Sequence, residues 1–162
     1  ALIQEIRAWF EGPLYLSGAI ARGDSILAAL AMGADGGYAG SAFIATEEAN
    51  AVQNYKQMIA DCAADDIVYS NLFTGVHGNY LKPSIAAAGL DPDNLERSDP
   101  TKMNFSEDRQ KPKSWKEIWG SGQGIGAIDQ VTTTADLVAS LSEQFEKAKE
   151  RLARQGTQYG QS

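Results

Sequence analysis

The chain has 162 residues, of which 43% are hydrophobic and 22% charged, and its formal net charge is -7. This composition indicates a globular protein, and an acidic chain with no long basic run excludes a typical nucleic-acid binder. One cysteine excludes a disulfide framework and a multi-thiolate metal site. No apolar run approaches the length of a membrane span and no signal pattern is present, so we expect a soluble, cytoplasmic protein without membrane or nucleic-acid partners.

Helices and short strands alternate through the first third of the chain. An amphipathic helix begins the sequence, with Leu2, Ile3 and Phe10 on its apolar side. "LYLSGAI" then reads as a strand, "DSILAALAM" as a helix capped by Asp24 or Ser25, and "GGYAGSAF" as a second strand. A further helix is expected to start near Thr46. This alternation predicts parallel pairing, in a doubly wound sheet or a (β/α)8 barrel.

The pattern changes beyond residue 65. "DIVYSNLFTGVHGNYL" contains a possible strand and a glycine-bounded turn, and a polar, proline-containing stretch follows it. A closing helix is predicted from a cap at Thr134 to about Arg154, with Leu137, Leu141 and Leu152 on its inner side. We therefore predict three units: 1–65, the last βα units of a barrel; 66–130, a lid bordering the site; and 131–162, the closing helix and tail.

Small residues follow both predicted strands of the first unit. Gly18 and Ala19 end the first strand, and Gly40 and Ser41 end the second. The carboxyl ends of parallel strands share one edge, so these backbone N–H groups and the Ser41 hydroxyl are placed to bind one anion, such as a phosphate. The alternative is that the two glycines only satisfy tight turns.

The same residues carry a family resemblance. "LSGAIARGDSILAALAMGADGGYAGSAFIATEEA", "DIVYSNLFTG" and "WGSGQGIGAIDQV" resemble segments of the nitronate monooxygenases, formerly called 2-nitropropane dioxygenases. The resemblance implies the C-terminal part of a TIM (β/α)8 barrel, of class α/β, with a smaller loop-rich lid region and a closing C-terminal helix. It also implies an FMN-dependent oxidoreductase that oxidises alkyl nitronates with oxygen. A sister branch reduces enoyl thioesters, and a non-catalytic phosphate-binding module is a third possibility.

The resemblance also implies which residues bind the cofactor. The paired glycines of the family fall on Gly18 and Ala19, and its glycine-threonine pair falls on Gly40 and Ser41, as ligands of the FMN phosphate. Ala19 replaces a glycine, which a negative φ tolerates and a left-handed conformation does not.

Three further positions follow from the same resemblance. Ala42 replaces an arginine usual in the family. A "GQ" segment that borders the active site of the family falls on Gln123 and Gly124. The glycines around it could also suggest a dinucleotide fingerprint, but the strand and helix that such a motif needs are missing from the sequence pattern.

No catalytic residue or metal ligand is assigned within these residues. The resemblance implies that the histidine base of the family lies upstream of Ala1, on an N-terminal half of the same barrel. We therefore expect this chain alone to be inactive and to need that half as its partner. His77 matches no catalytic motif, so we interpret it as a surface or hydrogen-bonded loop residue.

Overall fold

The computed structural model describes residues 2–95 and 117–159. Its helices are α1 (Leu2–Arg7), α2 (Gly23–Ala31), α3 (Ser41–Ile44), α4 (Gln53–Asp61), α5 (Lys82–Ala87) and α6 (Thr134–Tyr159), with two 3₁₀ helices at Ala64–Asp66 and Gln123–Ala127. Its strands are β1 (Tyr15–Ser17), β2 (Gly36–Tyr38), β3 (Ile67–Ser70) and β4 (Gly78–Leu81). None of the helices in the described ranges has the length and apolar character needed to span a membrane.

Two small sheets organise the described residues. β1 and β2 pair in parallel, with Leu16 opposite Gly37, and α2 connects them, as the alternating pattern predicts. β3 and β4 form an antiparallel pair with Ile67 opposite Leu81. The predicted βα alternation is confirmed in the first unit, and the glycine-bounded turn beyond residue 65 belongs to a hairpin.

Two apolar clusters hold these elements together. The larger one takes buried residues from α3, α4, β4 and the second 3₁₀ helix, namely Ala45, Ile59, Cys62, Leu81 and Ile125. The smaller one joins α1 and α2 beneath β1 through Ile3, Ala29 and Ala34. Residues of the predicted units 1–65 and 66–130 therefore share one core. Leu2 and Phe10 were expected on the buried side of α1, but they are 67% and 37% exposed.

The closing helix α6 packs closely on α2. A Cβ at Gly23 would lie 1.9 Å from the carbonyl oxygen of Leu141, so only glycine permits this approach. The Gly23 amide also donates to the side-chain oxygen of Gln144 at 2.9 Å. Leu137 and Leu141 are half-buried as predicted, whereas Leu152 is half exposed. Arg154 does not end the helix, which continues to Tyr159.

The cap predicted for α2 is wrong. The helix starts one residue before Asp24, so both candidate caps lie inside its first turn, and Arg22 is the N-cap residue without a side-chain bond to the helix. Asp24 pairs with Arg22 instead. The carboxylate is therefore bound by the Arg22 guanidinium and by the Ser25 amide inside the helix, and Asp24 does not act as the cap.

The starts predicted for α4 and α6 are also wrong. α4 begins at Gln53, because the Thr46 hydroxyl is buried and donates to the Phe43 carbonyl. The cap of α6 is Thr133, whose hydroxyl oxygen accepts the Asp136 amide at 3.1 Å. The Thr134 amide is held by the carboxylate of Glu48 at 2.9 Å. These partners lie 86 residues apart, so local sequence does not reveal them.

Candidate functional site

A cavity opens where the two parallel strands end. β1 ends at Ser17 and β2 at Tyr38, opposite each other in the register, so the loops after them meet at one edge. The cavity has a volume of about 170 Å³. Its lining residues are Ser17, Gly18, Ala19, Ile20, Ala21, Tyr38, Gly40, Ser41, Gly122 and Gly124.

We call this cavity the cradle. Five of the six cofactor-binding residues predicted from the sequence line it. Gly18, Ala19, Gly40, Ser41 and Gly124 are among its walls. Gln123 is exposed and does not contribute to the lining, so its side chain lies outside the cradle formed by the other five.

Sequence reasoning missed five lining residues, namely Ser17, Ile20, Ala21, Tyr38 and Gly122. The two strand-end residues follow from the alternation once the strand boundaries are known, because each is the last residue of its strand. Gly122 belongs to the same "GSGQGIG" segment, but nothing in its type distinguishes it from the neighbouring glycines.

The loop after β1 has a left-handed backbone. Gly18 has φ +91° and Ala19 has φ +57°, and Ala19 is the one non-glycine with positive φ among the described residues. Glycine adopts such angles without a steric penalty, whereas an L-residue with a Cβ is destabilised there. Alanine in place of the family's glycine was expected to be tolerated at position 19 only with a negative φ. The structure instead gives Ala19 a positive φ, in the strained left-handed region.

Gly124 presses against this strained residue. A Cβ at Gly124 would lie 2.6 Å from the Ala19 carbonyl oxygen and 2.9 Å from its Cα. Real Cβ atoms do not approach backbone atoms this closely, so position 124 requires glycine. The 3₁₀ helix that contains Gly124 therefore packs directly on the loop that follows β1.

The loop after β2 presents open glycine backbone and a serine. Gly40 is the N-cap of α3 with φ -112°, and a Cβ built there meets no protein atom within 4 Å. Ser41 and Ala42 begin α3, so their amides have no acceptor within the helix. The Ser41 hydroxyl oxygen accepts the Gly122 amide at 2.8 Å, which leaves its own proton available for donation.

The cradle contains no charged side chain. Tyr38 is its one ionisable lining residue, so the groups facing the cavity are mostly backbone and small side chains. Arg22 follows the first loop, but it bonds to Asp24 at 3.1 Å. That bond raises the pKa of Arg22 and lowers the pKa of Asp24. Backbone dipoles, rather than a cationic side chain, would hold an anion here.

No metal cluster accompanies this site. Within residues 2–95 and 117–159, no three His, Cys, Asp or Glu side chains are grouped so that they could hold a metal ion. The lining of the cradle consists of backbone and small side chains, with the hydroxyl-bearing residues Ser17, Tyr38 and Ser41 among them.

Size limits what the cradle encloses. Its volume corresponds to roughly six water molecules at about 30 Å³ each. Pockets that enclose a whole small-molecule ligand usually measure about 300–1,000 Å³. The cavity therefore matches a single small group, such as a phosphate, with the rest of a larger ligand extending outside it.

The nitronate monooxygenase family model matches residues 1–144. The chain belongs to the nitronate monooxygenase family. Among curated relatives, "Putative monooxygenase Rv1533" of Mycobacterium tuberculosis is 30% identical over 146 residues, which are 82% of this chain and 39% of that protein. "Probable nitronate monooxygenase" of Staphylococcus saprophyticus is 35% identical over 63 residues, 39% of this chain and 18% of that protein. The chain thus matches well under half the length of either relative.

Solved structures show the same fold at lower identity. FabK from Thermotoga maritima superposes with a TM-score of 0.67 at 20% identity, covering 94% of this chain and 50% of that chain. Nitroalkane oxidase from Streptomyces ansochromogenes gives 0.66 at 21% identity, covering 93% and 44%. Both are TIM-barrel-type α/β enzymes. These likenesses confirm the α/β class, whereas the lid and the partial barrel stay predictions.

Two residues that the sequence reasoning singled out lie away from the cradle. Ala42, where an arginine is usual in the nitronate monooxygenase family, is buried and lines a second cavity of about 390 Å³ beside α6. Its side chain therefore faces away from the cradle. His77 is exposed near the tip of the β3–β4 hairpin and stacks on Tyr69 with ring centroids 4.9 Å apart.

Proposed function

We propose that the cradle at the ends of β1 and β2 binds the phosphate of FMN. The observation that carries the proposal is the meeting of two glycine-containing strand ends around a phosphate-sized, uncharged space. Gly18, Ala19, Gly40 and Ser41 would hold the phosphate through backbone N–H groups and one hydroxyl. The space beside Gly40 can accommodate such a group, because a Cβ built there meets no protein atom within 4 Å.

The activity we infer for the whole protein is flavin-dependent oxidation of alkyl nitronates with oxygen. Membership of the nitronate monooxygenase family supports this reaction over enoyl thioester reduction and over a non-catalytic phosphate-binding role. Bound FMN would supply the electron transfer between substrate and oxygen. The described residues contribute binding and orientation, since the cradle holds no candidate general base.

We also propose that the remaining strands of a barrel pair with this chain. In the described ranges β1 and β2 form a sheet of two strands, so its outer edges have no strand partner there. The chain covers only half of the FabK fold that it matches. An N-terminal half of the same barrel would cover these edges and supply the family's histidine base, so the 162 residues alone would not turn over a nitronate.

Substitution of Gly40 by valine tests the phosphate site. A Cβ at this position meets no protein atom within 4 Å, and a valine side chain would occupy the space proposed for the anion, so Gly40→Val is expected to fold and to lose FMN. Gly156→Val is the control, because Gly156 is exposed in α6 and a Cβ there also meets open space. Flavin content of the purified full-length protein is read from its visible absorbance.

The two variants separate the possible outcomes. Loss of flavin from Gly40→Val with retention in Gly156→Val supports the cradle. Full flavin content in a folded Gly40→Val protein would show that FMN is held elsewhere. Oxygen uptake by the unsubstituted full-length protein, with an alkyl nitronate as substrate, tests the reaction separately from the binding site.

A further inference from the structure

We propose that Gly122 is a positioning residue whose amide aims the Ser41 hydroxyl at the bound anion. Gly122 belongs to residues 119–124, named here the strap. The inference rests on the proposed phosphate site and adds to it a hydrogen bond from a distant part of the chain. The proposal is about the orientation of a binding group in the cradle, and not about which atoms of the ligand react.

The path of the strap is fixed by the β3–β4 hairpin. The Leu81 amide donates to the Trp119 carbonyl at 2.9 Å, and the Ser121 amide donates to the Asn79 carbonyl at 3.1 Å. Tyr80 and Gly120 form an antiparallel bridge between these two bonds. The strap thus runs beside β4 through two hydrogen bonds and a single antiparallel bridge, and the hairpin determines where it reaches the cradle.

An aromatic pair fixes the strap from its other side. Tyr55 of α4 stacks on Trp119 with centroids 5.1 Å apart, and its hydroxyl donates to the Gly120 carbonyl. Burial raises the pKa of Tyr55, which keeps this hydroxyl protonated as a donor. The strap is therefore fixed by contacts from two elements before it meets the cradle.

The strap then contacts both loops of the cradle. The Gly122 amide donates to the Ser41 hydroxyl oxygen at 2.8 Å. Two residues later, Gly124 packs against the backbone of Ala19. One short segment therefore holds the loop after β1 and the loop after β2 in a fixed relation.

The bond to Ser41 determines which way its hydroxyl points. A serine hydroxyl has one proton to donate and two lone pairs that accept. With one lone pair directed at the Gly122 amide, the proton is directed elsewhere, and Ser41 lines the cavity. An anion accepts hydrogen bonds and does not donate them, so a hydroxyl whose orientations are already restricted by the Gly122 amide binds it with a smaller loss of rotational freedom.

Two substitutions of Gly122 test the role of its amide: both proline and alanine add a Cβ, but only proline removes the N–H. Gly122 has φ -75° and ψ 152°, angles that proline adopts, so Gly122→Pro removes the N–H while keeping the backbone conformation. Gly122→Ala keeps the N–H and adds the same Cβ, which would lie 3.3 Å from the Ser41 hydroxyl oxygen. Proline also places its ring Cδ where the amide hydrogen lies, towards the Ser41 hydroxyl oxygen, so the difference between the two variants reports the loss of the N–H together with this contact, and a Ser41→Ala background removes both.

The measurement is the affinity of the full-length protein for FMN, by titration calorimetry on protein freed of flavin. We expect Gly122→Pro to bind about tenfold more weakly than Gly122→Ala, the size of effect of one hydrogen bond to a charged group. In a Ser41→Ala background the two variants should bind equally, because the hydroxyl is gone. Equal affinities with Ser41 present, or an equal difference with Ser41 absent, would overturn the role of Gly122.

A second measurement does not depend on folding of the proline variant. The backbone amide resonance of Gly122 should shift when inorganic phosphate saturates the unsubstituted protein, because donation by Ser41 polarises the bond it accepts. It should not shift in Ser41→Ala. A resonance unmoved by saturating phosphate overturns the positioning role and leaves the cradle intact, whereas absence of any phosphate or FMN binding overturns the cradle itself.

Discussion

Replacing Ala19 by glycine should stabilise the protein. A left-handed residue with a Cβ costs about 1–2 kcal/mol, and Ala19 has φ +57°. Glycine relieves that strain, but it also raises the entropy of the unfolded chain by about 0.4–1 kcal/mol. The difference predicts that Ala19→Gly raises the free energy of unfolding by roughly 0.5–1 kcal/mol.

Thermal and urea unfolding followed by circular dichroism measure this change. In a chain of this size 1 kcal/mol corresponds to about 2–4 °C in Tm, so a rise of about 1–4 °C is expected. Ala88→Gly is the control, because Ala88 follows α5 with φ -80°, so glycine there relieves no strain and brings the entropic loss together with the loss of a half-buried methyl group. If Ala19→Gly lowers the stability as Ala88→Gly does, the left-handed conformation assigned to Ala19 is refuted.

Three further results are expected. Gly124→Ala should lower the free energy of unfolding, measured in urea, by about 1–3 kcal/mol, because the new Cβ would overlap the Ala19 backbone. Gly126→Ala is the control and should change this free energy little, because a Cβ there would lie 3.8 Å from the nearest atom. Hydrogen bonds from the start of α6 lower the pKa of Glu48 in the folded state, so Glu48 stabilises the protein at neutral pH and this stabilisation is lost as the pH falls below about 4.3. Glu48→Gln should therefore reduce the fall of the free energy of unfolding at acid pH, measured by urea unfolding at a series of pH values. His77→Ala should leave nitronate turnover of the full-length protein within a few-fold, whereas loss of a general base costs about 10²–10⁴-fold.

The first unit of the fold was predictable because its signals are local. The apolar runs around β1 and β2, with a helix between them that is followed by Gly33, indicate a parallel βα arrangement, and Gly33 has the left-handed φ of +103° expected after a helix. The small residues at both strand ends follow from the same pattern. Their meeting at one edge is a consequence of parallel pairing.

The remaining features depend on contacts between distant residues. The start of α4 was misplaced because Glu48, which resembles a helix-start residue, accepts the Thr134 amide at the start of α6 instead. Gly122 and Gly124 face the cradle only because the β3–β4 hairpin directs the strap there. The strain at Ala19 depends on its φ angle, which residue type alone does not determine.

A crystal structure of the full-length protein with FMN bound tests the central claim most directly. We expect the phosphate to lie in the cradle, with its oxygens within hydrogen-bond distance of the Gly40 and Ser41 amides and of the Ser41 hydroxyl. We also expect the flavin ring to extend outside the space enclosed by these residues. An FMN phosphate bound at any other place, with the cradle holding only water, would contradict the assignment.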